Sequence, residues 1–132
     1  YNNQVSDIGP LKSLVELKTL ELAKNRITDS SSLVALTSLG HLSISSNQIS
    51  DLTPLLPLTN LNVLDLYANN VTDISPLSSL TNLIVLSLDN NSISDIPPLK
   101  SLTSLTSLFI ANNKITDYSP LESVDGLRTL RR

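Results

Sequence analysis

The feature of this sequence that most constrains its fold is a repeat of 22 residues, which divides the 132-residue chain into six units. Asparagine recurs once in every unit, beginning at Asn3, and is followed two residues later by Ile or Val and four residues later by Asp. Leucine, replaced once by valine, fills four further positions of each unit. A fixed period of this length is typical of proteins in which each unit packs against its neighbours. The sequence therefore predicts a stacked array.

Each unit contains the pattern of a short strand. In residues 61–66 the apolar Leu64 and Leu66 alternate with polar side chains, which is the period of a half-buried strand. The following segment, 76–80, has two leucines three positions apart, as expected for a 3-10 or single-turn helix capped by Ser75. A unit this small cannot bury its own apolar face, so the strands are expected to stack in parallel, with the helical turns on the other side. Because the turns are wider than the strand spacing, the sheet should be concave.

Residues 61–82, LNVLDLYANNVTDISPLSSLTN, resemble the leucine-rich repeat in its 22-residue internalin-like form, from which only Val71 departs. The units 39–60 and 83–104 match nearly as well, and the units near the ends match less closely. The resemblance covers the whole chain. It implies an α/β fold, a right-handed leucine-rich repeat solenoid with a parallel concave β-sheet and 3-10 or short helical turns on the convex side.

The domain organisation expected from these units is a single leucine-rich repeat domain over residues 1–132. The chain starts and stops inside repeats and lacks amphipathic caps, which repeat arrays need at their ends. We therefore expect a piece of a longer array, with adjacent repeats or domains of the same chain beside it. The start, Tyr1–Gln4, has neither the charge nor the apolar character of a signal peptide, and no apolar run is long enough to predict a membrane span.

Composition argues against several classes of function. Nine basic and twelve acidic residues give a formal net charge of −3, the wrong sign for a protein that binds nucleic acid through its phosphates. There is no cysteine for a thiolate zinc site, and one histidine and three glycines leave no histidine-rich metal motif or phosphate-binding loop. The best acid–base candidates are the carboxylates around His41, which are Glu21, Asp65 and Asp89. Glu21 and Asp65 would lie two strands apart, about 10 Å, on an open sheet that excludes no water. We expect no enzyme, no metal site and no cofactor.

The two polar rows have a structural explanation. An asparagine at the end of each strand can pair its side-chain amide with backbone groups that the turn leaves without partners. We expect such a structural ladder from Asn25, Asn47, Asn69, Asn91 and Asn113. The aspartate row is explained by hydrogen bonds from each side chain to the backbone of its own turn, although a line of cation ligands has the same pattern.

Candidate binding residues lie at the positions that the repeat leaves variable, which are the outward-facing side chains of the strands. Tyr67 and Phe109 stand out because aromatic residues make up only 3% of the chain, and exposed aromatics with flanking charges are typical of protein interfaces. The alternative is that residues such as Val63 and Val85 only suit strands. The predicted binding residues are Glu21, His41, Val63, Asp65, Tyr67, Ile84, Val85, Asp89 and Phe109.

The resemblance also implies a function. Internalins are bacterial surface proteins whose concave leucine-rich face grips a host receptor, so we expect a protein–protein interaction module that binds a protein partner on this face. A secreted or cell-surface location on a bacterium, with a role in adhesion, is implied in the same way. The alternative is a cytoplasmic leucine-rich repeat scaffold or spacer in a larger assembly, as in a phosphatase regulatory subunit, a Roco-type GTPase or a ciliary protein.

Overall fold

The computed structural model describes residues 3–132. Tyr1 and Asn2, with which the expected absence of a signal peptide begins, lie outside the described residues. Within residues 3–132, six parallel strands form one open sheet in which each strand pairs with the next along the chain. The strands are β1 (Thr19–Glu21), β2 (His41–Ser43), β3 (Val63–Asp65), β4 (Val85–Ser87), β5 (Ser107–Phe109) and β6 (Thr129–Arg131). Paired residues are one repeat apart, as in Leu42 with Leu64. The predicted parallel solenoid is confirmed.

A 3-10 helix follows the turn of each repeat on the convex side. These helices are Gly9–Ser13, Ser31–Ala35, Thr53–Leu55, Ser75–Ser79, Pro97–Ser101 and Ser119–Ser123. The prediction that Ser75 caps its helix is wrong, because the helix already begins at Ser75 and Ile74 occupies the N-cap without a side-chain hydrogen bond. Pro76 lies in the first turn, where its missing N–H leaves no helical hydrogen bond unmade.

The apolar core is a continuous layer between the sheet and the 3-10 helices. In the central repeats the leucine rows are fully buried, as at Leu64, Leu77 and Leu80. Coverage is poorer at the two ends of the stack, where Leu14 is 47% exposed and Leu130 is 39% exposed. Each repeat buries its apolar face against its neighbours, so the central repeats gain the most from the hydrophobic effect.

The asparagine row connects each repeat to the preceding one. Asn69 is 7% exposed; its Oδ1 accepts the Ile49 N–H at 2.9 Å, and its Nδ2 donates to the Ile44 carbonyl at 3.0 Å. Nδ2 also donates to the Leu66 carbonyl of its own repeat at 3.2 Å. The corresponding Oδ1 contact with the preceding repeat is made by Asn25, Asn47, Asn91 and Asn113. These side chains therefore satisfy backbone groups that the turns leave without partners.

Asn69→Leu is expected to lower the free energy of unfolding by about 1 to 3 kcal/mol, because the Ile49 N–H and the Ile44 carbonyl would lose their partners inside the stack. Asn25→Leu should cost less, since Asn25 lies near the end of the stack and is only half-buried. Urea unfolding of both variants measures the difference. Equal losses of stability in the two variants would contradict the expectation that the contribution of each ladder asparagine increases with its burial.

The residue before each ladder asparagine has a left-handed backbone. The dihedral φ lies between 51° and 56° at Lys24, Ser46, Ala68, Asn90 and Asn112. This conformation turns the chain after the strand while the N–H still pairs with the next repeat, as in the 2.9 Å bond from Ala68 to the Asp89 carbonyl. Residues other than glycine and asparagine are strained in this conformation. The turn is therefore held by the surrounding hydrogen bonds, even where its own residue disfavours it.

The aspartate row forms the side-chain-to-backbone contacts expected of turn residues. Asp73 Oδ1 accepts the Ser75 N–H at 2.8 Å, and Asp73 Oδ2 accepts the Ser75 hydroxyl at 2.9 Å. Hydrogen bonds from the backbone N–H of the serine two positions on, and then from its hydroxyl, lower the pKa of Asp29, Asp73 and Asp117. These carboxylates therefore stabilise the folded state in their ionised form.

Because the pKa of Asp73 is lower in the folded chain, its charged form contributes stability that is full above the ordinary pKa of 3.8 and is lost as the pH falls through the folded pKa. The loss of stability caused by Asp73→Asn should therefore shrink below pH 3.8, as measured by urea unfolding across this range. Asp95→Asn is the matched control, because Pro97 has no N–H to donate to Asp95. The same pH dependence in both variants would refute this explanation.

Candidate functional site

The concave side of the sheet forms a shallow, open groove that runs across all six strands. It is lined mainly by the outward-facing strand residues and by residues two positions beyond the ends of the strands, because alternate residues point to opposite faces. The lining residues are Glu21, Ala23, His41, Ser43, Ser45, Val63, Leu64, Asp65, Tyr67, Val85, Ser87, Phe109 and Arg131.

Most of the predicted binding residues come together in this groove. Seven of the nine line it: Glu21, His41, Val63, Asp65, Tyr67, Val85 and Phe109. Tyr67, two residues beyond the end of β3, is 39% exposed, whereas Phe109 on β5 is half-buried. The parallel register places residues of one column side by side: His41, Val63 and Val85 follow one another at one repeat, and Glu21, Asp65 and Phe109 at two repeats.

Ile84 and Asp89 do not line the groove. Ile84 is 42% exposed and immediately precedes β4. Asp89, expected to be an exposed charge beside Tyr67, is only 1% exposed. Its Oδ1 accepts the Ala111 N–H at 2.7 Å, and its Oδ2 forms an ion pair with the Arg131 guanidinium. The expectation of exposure is wrong because these two contacts hold the carboxylate inside the stack.

Arg131 connects the last strand to the middle of the groove. Besides its ion pair with Asp89, its guanidinium lies over the Phe109 ring, 5.3 Å from the ring centroid. The guanidinium is thus placed between a buried carboxylate and an aromatic face, both of which favour a cation. We infer that this contact orients Phe109 and holds β6 against β5.

Arg131→Gln is expected to destabilise the protein more than the double substitution Asp89→Asn with Arg131→Gln, because the single variant leaves a buried carboxylate without its counter-charge. A coupling energy of about 1 to 3 kcal/mol should appear in a double-mutant cycle measured by urea unfolding. Strictly additive effects of the two substitutions would show that the ion pair contributes no coupling.

The half of the groove formed by β1, β2 and β3 is rich in polar groups. His41 Nε2 lies 2.9 Å from Glu21 Oε1, so the two form an ion pair when the imidazole is protonated. Asp65 Oδ1 accepts the Tyr67 N–H at 3.0 Å, and Asp65 Oδ2 accepts the Ser43 hydroxyl at 3.2 Å. These contacts position the carboxylates at the surface of the groove.

Six lining residues were not predicted as binding residues, and most of them are small: Ala23, Ser43, Ser45, Leu64, Ser87 and Arg131. The serines and the alanine belong to the same outward-facing columns as the predicted residues, and this membership is the signal that could have identified them. Their side chains carry no individual signal of binding. Arg131 belongs to the column of Phe109 and carried the same signal, whereas Leu64 belongs to a buried leucine row.

The arrangement is suited to holding a surface and provides no enclosed reaction site. No group of three or more His, Cys, Asp or Glu side chains that could hold a metal ion is formed by residues 3–132. In the same described part of the chain, no helix has the length and apolar character needed to cross a membrane. An extended concave sheet presented by a solenoid is the architecture of repeat proteins that bind macromolecules.

Comparison with protein families identifies the repeat. Residues 15–57, 37–79, 59–101 and 81–123 each match the model described as "Leucine Rich repeats (2 copies)". The matches together span most of the chain, which therefore belongs to the leucine-rich repeat family. The fold of this family is a protein–protein interaction module and a binding fold rather than a catalytic one.

Solved structures of bacterial proteins are similar to the whole array. An internalin (inlF) from Listeria monocytogenes strain 4b F2365 has a TM-score of 0.95 and 41% identity over 97% of this chain. Internalin C2 (inlC2) from the same strain has a TM-score of 0.86 and 36% identity over 98% of this chain. The chain spans 38% of the first protein's structure and 67% of the second's. A comparison with curated protein sequences found no match.

Proposed function

We propose that this leucine-rich repeat domain binds a protein partner on its concave face, with Tyr67 and Phe109 as apolar anchors. The observation that carries the proposal is the convergence of both aromatic rings with Val63 and Val85 in one groove. Carboxylates on β1 and β3 lie in the same groove. Aromatic anchors within a polar rim are the usual arrangement of energetically important residues in protein interfaces.

The convex side offers less for recognition. Its 3-10 helices mostly expose small polar side chains such as Ser13, Ser101 and Ser123, and Val34, an exposed apolar side chain among them, is aliphatic and smaller than an aromatic ring. Tyr67, by contrast, is a large side chain that is 39% exposed. An aromatic ring supplies a large contact area with few rotatable bonds, so ordering it on binding costs little entropy.

A secreted or cell-surface location on a bacterium, with a role in adhesion, is part of the same proposal. Its support is the 41% and 36% identity to two internalins from Listeria monocytogenes. The partner proposed on this basis is a protein exposed outside the bacterial cell. A scaffold or spacer that uses another surface is the competing function.

Tyr67→Ala is expected to weaken binding of the partner by about 2 kcal/mol, or about thirtyfold, because it removes a central anchor. The partner is first identified by placing a photo-crosslinking amino acid at position 67 of the full-length protein, with position 101 as the convex control. The affinity of the purified partner is then measured for Tyr67→Ala, Phe109→Ala and Ser101→Ala. Crosslinks from position 101 alone, with unchanged affinity for both aromatic variants, would favour the scaffold function.

A further inference from the structure

Two carboxylates in the groove lack a permanent counter-charge. Asp65 accepts hydrogen bonds but forms no ion pair within residues 3–132. Glu21 is paired with His41, which neutralises it only when the imidazole is protonated. A partner that covers this half of the groove would remove both carboxylates from water, so it gains affinity by supplying a cation.

The single Lys or Arg in the groove lining does not supply that cation. Arg131 lies on β6, at the far edge of the sheet, and its guanidinium is already paired with the buried Asp89 carboxylate. The β1–β3 half of the groove is therefore negative, whereas the β4–β5 half presents Val85 and Phe109.

The register of the sheet places the two carboxylates on either side of a small residue. Glu21 pairs with Ser43, and Ser43 pairs with Asp65, so the backbones of the two acidic residues each lie about 4.8 Å from that of Ser43 in the direction across the strands. Ser43 and Ser45 are 6% and 9% exposed and form the floor between them. Tyr67 follows β3 on one side of this floor. The result is a notch with acidic walls beside an exposed aromatic ring.

A lysine or arginine side chain matches this notch in charge and in hydrogen bonding. Its N–H groups are donors only, and the carboxylates of Glu21 and Asp65 are acceptors only. The Tyr67 ring adds a favourable contact with a cation. An acidic side chain from a partner would be repelled by both walls, and an apolar one would leave the carboxylates without water or a counter-charge.

We propose that the partner inserts a lysine or arginine side chain into this notch and places an apolar side chain over Val85 and Phe109. This inference rests on the proposed binding function of the concave face. Val85 and Phe109 lie two and three strands beyond Ser43, which is about 10 and 14 Å. In an extended segment, residues four positions apart face the same side and lie about 13 Å apart. The partner segment therefore carries the basic and the apolar residue four positions apart.

The test uses a phage-displayed library of random peptides selected on the immobilised protein. Selected peptides are expected to carry Lys or Arg with an apolar residue four positions away. The combined variant Glu21→Gln with Asp65→Asn should weaken their binding about tenfold, and the affinity for the wild type should fall as salt is raised. The matched control is Glu16→Gln with Glu122→Gln, which removes the same charge from exposed positions outside the groove and should leave affinity unchanged.

The outcomes separate this inference from the proposed function. Selected peptides without a basic residue, whose binding depends on Tyr67 and Phe109 but not on Glu21 and Asp65, would overturn the basic-residue inference and leave concave-face binding in place. Peptides indifferent to Tyr67→Ala and Phe109→Ala would overturn both. Failure to select any peptide would also overturn the inference, because a short extended segment is then insufficient. Thermal melts of each variant verify that it is folded.

Discussion

Hydrogen bonds between buried asparagine side chains and the backbone of the preceding repeat are the interaction on which the rest of the structure depends. The leucine rows drive stacking, but the hydrophobic effect has no direction and does not by itself set the position of one repeat on another. The amide of Asn69 accepts from Ile49 and donates to Ile44, so it satisfies two backbone groups of the neighbouring repeat at defined distances. A side chain without both a donor and an acceptor could not do this.

Because the leucine and asparagine rows stack and align the repeats, the side chains of the concave side have few structural roles. Leucines and asparagines fill the inward positions, so outward strand positions can vary without opening the core. Asp89 is an exception, because its carboxylate is buried and accepts the Ala111 N–H of the next repeat. The protein therefore combines a nearly invariant scaffold with one variable surface, and recognition can change while stability is maintained.

The sequence predicted the architecture well because the repeat encodes it many times over. A strand, a turn and a 3-10 helix recur in every unit, and stacking follows from the inability of one unit to bury its own apolar face. The left-handed turn residues were not predictable in the same way. Lys24, Ser46 and Ala68 carry no signal of positive φ, because the hydrogen bonds around them impose it.

The candidate site was predictable in outline from the alternation of strand residues, which identifies the groove columns. The burial of Asp89 was not, since it depends on Arg131 two repeats later in the chain. The floor of the notch was also missed, because Ser43 becomes distinctive only when the register sets it between Glu21 and Asp65. The alternation of strand residues thus identified the groove from the sequence, whereas its charges and exposure depend on contacts between residues of different repeats.

The ladder has an evolutionary consequence. Each asparagine bonds to positions at fixed distances within the preceding repeat, such as 20 and 25 residues earlier for Asn69 and for Asn91. Duplication or deletion of one whole repeat therefore brings an equivalent set of donors and acceptors together at the new junction. An insertion of a single residue between two asparagines would misalign that junction. Genetic exchange in units of whole repeats can consequently lengthen, shorten or reshuffle the binding surface while every new combination still folds by the same hydrogen bonds.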